Sequence, residues 1–89
     1  MASDNPAKQP EPPADITLDL CQLRCPMPLL KTRQQLRQMS TGQRLRVLAT
    51  DPGAKRDIPA WLRQTPHRLV QSVDGDGVMA FTILVGEVG

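Results

Sequence analysis

Apolar and polar residues alternate or recur along this chain with periods that change several times. Ile16-Thr17-Leu18-Asp19-Leu20 alternates with period two, the pattern of a strand covered on one face. Cys25-Pro26-Met27-Pro28 then opens a stretch rich in helix formers, and proline suits a first helical turn because those amides have no intrahelical partner. The pattern predicts a helix from Cys25 or Pro26 to about Ser40. Leu29, Leu36 and Met39, with Leu30 and Thr32, form its inward stripe, Lys31, Gln34, Gln35, Arg37 and Gln38 face water, and Gly42 is the stop signal. Alternation returns over Arg44 to Ala49 and is broken by Asp51-Pro52-Gly53, read as a turn. Asp57 precedes Ile58-Pro59-Ala60-Trp61-Leu62-Arg63, so a short second helix is expected with Asp57 as its cap and Pro59 in its first turn. His67 to Val73 and Val78 to Val85 alternate again, and Asp74-Gly75-Asp76-Gly77 supplies the turn of a hairpin. The predicted order is β-α-β-α-β-β. Two helices with one apolar face each predict an α/β (α+β) two-layer sandwich, a four-stranded mixed sheet with both helices on one face and the other face exposed.

Composition changes this picture only at the start of the chain. Four of the nine prolines lie in residues 1–14, among polar residues and without a large apolar one after Met1, so this segment is expected to be a disordered tail ahead of a domain over residues 15–89. With 89 residues, 39% of them hydrophobic, a multidomain enzyme is excluded. The longest apolar run is Val78-Met79-Ala80-Phe81, far below the roughly 20 residues of a membrane-spanning helix. Residues 1–6 lack the basic start and apolar stretch of a secretory signal, and the expected location is the cytoplasm. The net charge is +2 and Trp61 and Phe81 are the two aromatics, a poor platform for stacking bases, so direct nucleic-acid binding is disfavoured.

Candidate chemistry centres on sulfur. Cys25 stands where a helix begins, beside free amides and the positive end of the helix dipole, and Arg24, Lys31 and Arg33 add positive charge. All of these favour thiolate, so Cys25 is expected to ionise more readily than an ordinary thiol and to act as a nucleophile. Cys21 lies four positions earlier and is either a small hydrophobe or a resolving partner. Cys21, Cys25 and His67 form no zinc pattern, so no metal is expected. His67 is the one candidate base, at no telling spacing from a nucleophile, which disfavours a hydrolase and leaves it a structural or surface residue.

The run Leu18-Asp19-Leu20-Cys21-Gln22-Leu23-Arg24-Cys25-Pro26-Met27-Pro28 resembles the Leu-Asp-x-x-Gly-Leu-x-Cys-Pro-x-Pro signature of the TusA/SirA-type sulfur carriers. Gly42-x-x-Leu45-x-Val47, Asp51-Pro52, Asp57-Ile58-Pro59 and His67-x-Leu69 extend the resemblance over residues 16–85, while Gln22 and Pro66 stand where that family usually has glycine. The resemblance implies the same sandwich and a sulfurtransferase role without a cofactor. In it, Cys25 takes sulfur as a persulfide from a cysteine desulfurase or rhodanese-like donor and passes it to an acceptor protein, for tRNA 2-thiouridine or for cofactor sulfuration. Pro26 and Pro28 would then stiffen the presenting turn, the amides of Met27 and Leu29 or the side chain of Arg24 would hold the sulfur, and Lys31, Arg33, Arg37 and Asp57 would dock partners. Two readings of another class stay open: a non-catalytic regulatory or RNA/protein-binding module in which Cys25 is structural, and a Cys21–Cys25 redox pair.

Overall fold

The computed structural model describes residues 14–87, and the expected tail lies outside them save for Ala14. Six elements follow in the expected order: β1 (Ile16–Asp19), α1 (Met27–Arg37), β2 (Arg44–Ala49), α2 (Pro52–Leu62), β3 (Arg68–Gly75) and β4 (Val78–Leu84). The sheet order is β1-β2-β4-β3. β1 runs parallel to β2, whereas β4 is antiparallel to both β2 and β3, so the sheet is mixed as expected.

One face of this sheet carries the core. Leu45, Val47 and Ala49 of β2 stand opposite Ile83, Phe81 and Met79 of β4, which puts six buried side chains on the same face. Leu36 of α1 and Ala54, Ile58 and Leu62 of α2, the last three spaced four apart along one helical stripe, close over them in a single apolar cluster. Burying each of the larger side chains contributes on the order of 1.5–3 kcal/mol, and this anchors both helices to the sheet. The opposite face exposes Val73 and Val78, although Thr82 at the middle of β4 is buried there, between its neighbours Arg46 and Gln71.

The ends of both helices differ from expectation. α1 starts at Met27, with Pro26 as its N-cap, and stops at Arg37 with Gln38 as C-cap. Gly42 does not end the helix. It sits at φ +94° in the turn beyond, where its amide donates to the carbonyl of Val85 at 2.9 Å and leads the chain into β2. Leu30, expected inward, is exposed. α2 begins at Pro52, well before the expected start, because Asp51-Pro52 is an N-cap and first-turn proline rather than a turn: the Asp51 carboxylate accepts from the amide of Gly53 at 2.9 Å. Asp57 therefore is not the cap of α2 but a residue of its interior, and so is Pro59.

The hairpin turns through Asp76 (φ 54°) and Gly77 (φ 78°), a two-residue loop with both central residues left-handed, as the twist of the flanking strands prefers. β3 begins one residue after His67, and its register shifts between Leu69 and Gln71, so Val70 falls out of step and the even alternation expected there is interrupted.

Candidate functional site

Because β1 and β2 are parallel neighbours, their carboxyl ends lie side by side, and the loops leading to α1 and α2 must emerge together. That is where open α/β sheets collect their reactive groups. The two loops are sewn to each other: the Leu20 amide donates to the Leu48 carbonyl (2.9 Å), and the Thr50 hydroxyl donates to the Cys21 carbonyl (2.7 Å). The Cys21 amide donates to the Asp19 carboxylate at 3.0 Å, the Leu23 amide to the Leu20 carbonyl at 3.0 Å, and the Leu23 side chain packs against the core. Gln22 is exposed in this turn with φ outside the left-handed region, so the loop is reached without the glycine usual there.

Cys25 ends the loop as an exposed, free thiol, joined to Pro26 by a cis peptide bond. Its Sγ donates to Oδ2 of Asp57 at 3.2 Å, and the other carboxylate oxygen accepts from Nε of Arg56 at 3.2 Å. The close approach of loop and helix depends on Gly53. A Cβ on that residue would lie 2.8 Å from the Asp51 carboxylate, 3.1 Å from Cys25 Cβ and 3.2 Å from its sulfur. Oxygen and sulfur thus converge on a Cα that carries only hydrogen.

The electrostatics run opposite to the expectation for this thiol. The hydrogen bond to Asp57 pushes the Cys25 thiol above its ordinary pKa, and partial desolvation and the negative charges of Asp57 and Asp51 add to this, while Arg56 pulls weakly the other way. Asp57 moves down in turn, because it accepts from Cys25 and from Arg56. The amide of Met27, expected to hold the sulfur, donates to the carbonyl of Arg24 at 2.8 Å, and Pro26 and Pro28 have no amide hydrogen to offer. The start of α1 is therefore poorer in free donors than its position along the chain implied.

Of the other expected site residues, Arg24, Pro26 and Met27 are exposed around the thiol, Pro28 is buried and Leu29 half-buried. Arg24 also borders an open cleft of about 400 Å³ with Cys21, Thr50 and Asp51. Lys31 is exposed on α1. Arg33 and Arg37 lie elsewhere, roughly 9 and 15 Å along the helix from Met27. They line a larger cleft of about 690 Å³ with Trp61 and His67, and the Arg33 guanidinium sits 5.7 Å from the centre of the Trp61 ring. His67 has a structural task there: its Nδ1 accepts from the Gly86 amide at 3.0 Å, and burial lowers its pKa. Cys21 is a half-buried free thiol whose pKa is raised by desolvation and by Asp19. Among the described residues no three His, Cys, Asp or Glu side chains are grouped to hold a metal ion, and no helix is long and apolar enough to cross a membrane.

The site thus offers an exposed thiol, hydrogen-bonded to a carboxylate, at the carboxyl ends of β1 and β2. Asp51, Gly53 and Arg56 belong to it and were not among the expected residues. The Asp-Pro pair was the signal for the first two, since an N-cap followed by proline marks a helix start as readily as a turn.

Comparison with known proteins bears on what such a sulfur does. The family described as Sulfurtransferase TusA matches residues 16–85. A relative from Neisseria meningitidis serogroup A is 48% identical over 69 residues, 78% of this chain and 90% of that protein. The sulfur carrier protein TusA of Allochromatium vinosum is 42% identical over 69 residues, covering 78% of this chain and 91% of its own. Among solved structures, a SirA-like protein from Desulfitobacterium hafniense superposes with a TM-score of 0.70 at 22% identity, over 81% of this chain and 99% of its own, a likeness of fold.

Proposed function

The chain belongs to the sulfurtransferase TusA family, and from that premise we propose that Cys25 is the atom-bearing residue of a sulfur relay. It receives sulfane sulfur from a cysteine desulfurase or a rhodanese-like donor, holds it as a persulfide and delivers it to an acceptor protein. The observation that carries this reading is the exposed Cys25 sulfur, free of any disulfide, at the carboxyl ends of β1 and β2.

The chemistry asks for little besides access. The deprotonated Cys25 sulfur attacks the outer sulfur of the donor persulfide. A new S–S bond forms as the donor's breaks, and the donor departs as a thiolate with no net oxidation or reduction. In the second step an acceptor thiolate attacks the outer sulfur on Cys25, which leaves in its turn. Among the described residues no group beside the sulfur serves as a strong base, since Asp57 is held below the ordinary carboxylate range, so the thiol proton goes to solvent or to the docked partner. Pro26, Met27, Pro28 and Leu29 shape the turn that presents the sulfur, and Arg24 is the cation next to it in the chain. Arg33 and Arg37, with exposed Leu30 beside them, offer an acidic partner a basic patch on one side of α1, and exposed Lys31 adds a cation on another side of the helix, nearer the sulfur. Asp57 stands at the rim that any partner covers. We assign the relay to the cytoplasm, with tRNA 2-thiouridine or a sulfurated cofactor as the destination of the sulfur.

The test is intact-mass measurement after incubation with a desulfurase and cysteine. The chain should gain the mass of one sulfur atom, keep that gain in Cys21→Ser and lose it in Cys25→Ser. Retention of the gain in Cys25→Ser overturns the reading, and loss of two hydrogens in place of a gain assigns the cysteines to a redox pair. A structural Cys25 in a binding module would give no change at all.

A further inference from the structure

The contact between Cys25 and Asp57 joins residues 32 positions apart, and it is built by three features at once. Asp57 projects from the interior of α2 one turn after Gly53, the bare Cα of Gly53 lets the sulfur reach it, and Arg56 holds the second carboxylate oxygen. Resting on the carrier reading above, we propose that Asp57 is a positioning residue that holds the empty Cys25 as a hydrogen-bonded thiol and so biases sulfur exchange at Cys25 toward release.

The site has two states, empty and loaded. Empty, the sulfur has a proton and donates it to the carboxylate. Loaded, the sulfur next to Cβ is bonded to a second sulfur and has no proton to give, and the terminal sulfur is anionic because a persulfide is a stronger acid than its parent thiol. The hydrogen bond is then lost and an anion faces a carboxylate. The charged groups that act on that sulfur are Asp57 and Arg56 from α2 and Asp51 from its N-cap, Arg24 precedes it in the chain, and the first turn of α1 has no acidic residue. For exchange with a small thiol the balance is Cys25–S–S⁻ plus RSH giving Cys25–SH plus RS–S⁻. The S–S bond at Cys25 breaks as one to R forms, the proton of RSH ends on Cys25, and nothing is oxidised or reduced. Asp57 stabilises the right-hand side. A hydrogen bond of ordinary net strength at an exposed site displaces this equilibrium by about three- to tenfold. The same contact keeps the empty thiol protonated and sluggish toward chance electrophiles.

The probe is the glutathione persulfide/glutathione couple, equilibrated with the full chain and read by intact mass as the ratio of loaded to empty protein. Asp57→Asn should hold about three to ten times more persulfide than the wild type at the same couple ratio, and the pH midpoint for iodoacetamide alkylation of its Cys25 should move down, a readout that a merely structural residue would leave in place. Arg56→Ala, which leaves the carboxylate to the thiol alone, should shift the loaded fraction the other way. A folded Asp57→Asn with the wild-type ratio overturns the proposal. Should that variant not fold, an Arg56→Ala ratio equal to or above wild type overturns it instead. The carrier reading fails separately, by the wild type taking no sulfur from either glutathione persulfide or a desulfurase.

Discussion

Asp51 holds two offices in this structure, and two substitutions separate them. Its carboxylate caps α2 through the 2.9 Å bond from the Gly53 amide, and its charge lies near enough to Cys25 to help hold that thiol protonated. Asp51→Ala removes both. Loss of an N-cap costs about 1 kcal/mol, within a range of roughly 0.5–2, and in a domain of this size each kcal/mol lowers the melting midpoint by about 4–8 °C. Asp51→Ser keeps an oxygen that can accept from Gly53 and loses only the charge, so it should retain most of the stability, short by a few tenths of a kcal/mol for the weaker match to the helix dipole. Both variants should alkylate faster at Cys25 near neutral pH, since each removes a negative charge that favours the thiol. The assays are thermal unfolding followed by circular dichroism and iodoacetamide kinetics across pH. An Asp51→Ala protein that melts with the wild type would refute the capping argument. A Ser variant whose alkylation profile overlays the wild type would show that the charge is not felt at the sulfur.

Two further predictions concern the far end of the sheet. A Cβ at Gly86 would collide with the Pro66 carbonyl, 2.6 Å from its carbon and 3.2 Å from the His67 nitrogen, all of it backbone. Gly86→Ala should therefore part the end of β4 from the start of β3 and break the bond to His67, at a cost of about 1–3 kcal/mol or more, visible as a lowered denaturation midpoint. Because Gly86 lies at the sheet end opposite Cys25, sulfur loading of the folded variant should equal wild type. His67 titrates the same contact. Its pKa is depressed by burial, so protonation favours the unfolded chain: the stability it contributes is complete above the unfolded value of about 6.5 and is lost as pH falls toward the lower folded value. Urea midpoints measured on either side of that range should fall with pH, and His67→Asn, which keeps an acceptor for the Gly86 amide but cannot titrate there, should flatten the dependence.

Much of this architecture was legible in local periodicity because β1 and β2 each bury one side only. Ile16 to Asp19 and Arg44 to Ala49 alternate as expected, and Asp76-Gly77 marked the hairpin, whereas β4 departs from alternation by burying Thr82 between Phe81 and Ile83. Proline blurred the helix boundaries. Pro59 read as a helix start because it follows Asp57, while the true start at Asp51-Pro52 looked like a turn, and both pairs satisfy the same local rule. The shift of register after Leu69 has no local marker, since a bulge answers to the neighbouring strand. The position of Cys25 was legible for a similar local reason, but its ionisation was not. A helix start speaks only for amides within a few residues, whereas the deciding carboxylate arrives from α2 once β1 and β2 lie parallel.

The sheet order also governs when the protein can come into being on the ribosome. β4 lies between β2 and β3 and supplies Met79, Phe81 and Ile83 to the interior, yet it is made after the other five elements. The thiol-bearing loop and both helices emerge first, with half of their apolar floor still untranslated, and such distant pairing is slow to form. A nascent chain halted before Val78 would thus display a sulfur without the scaffold that governs it, and completion of the final strand is what converts that segment into a working part.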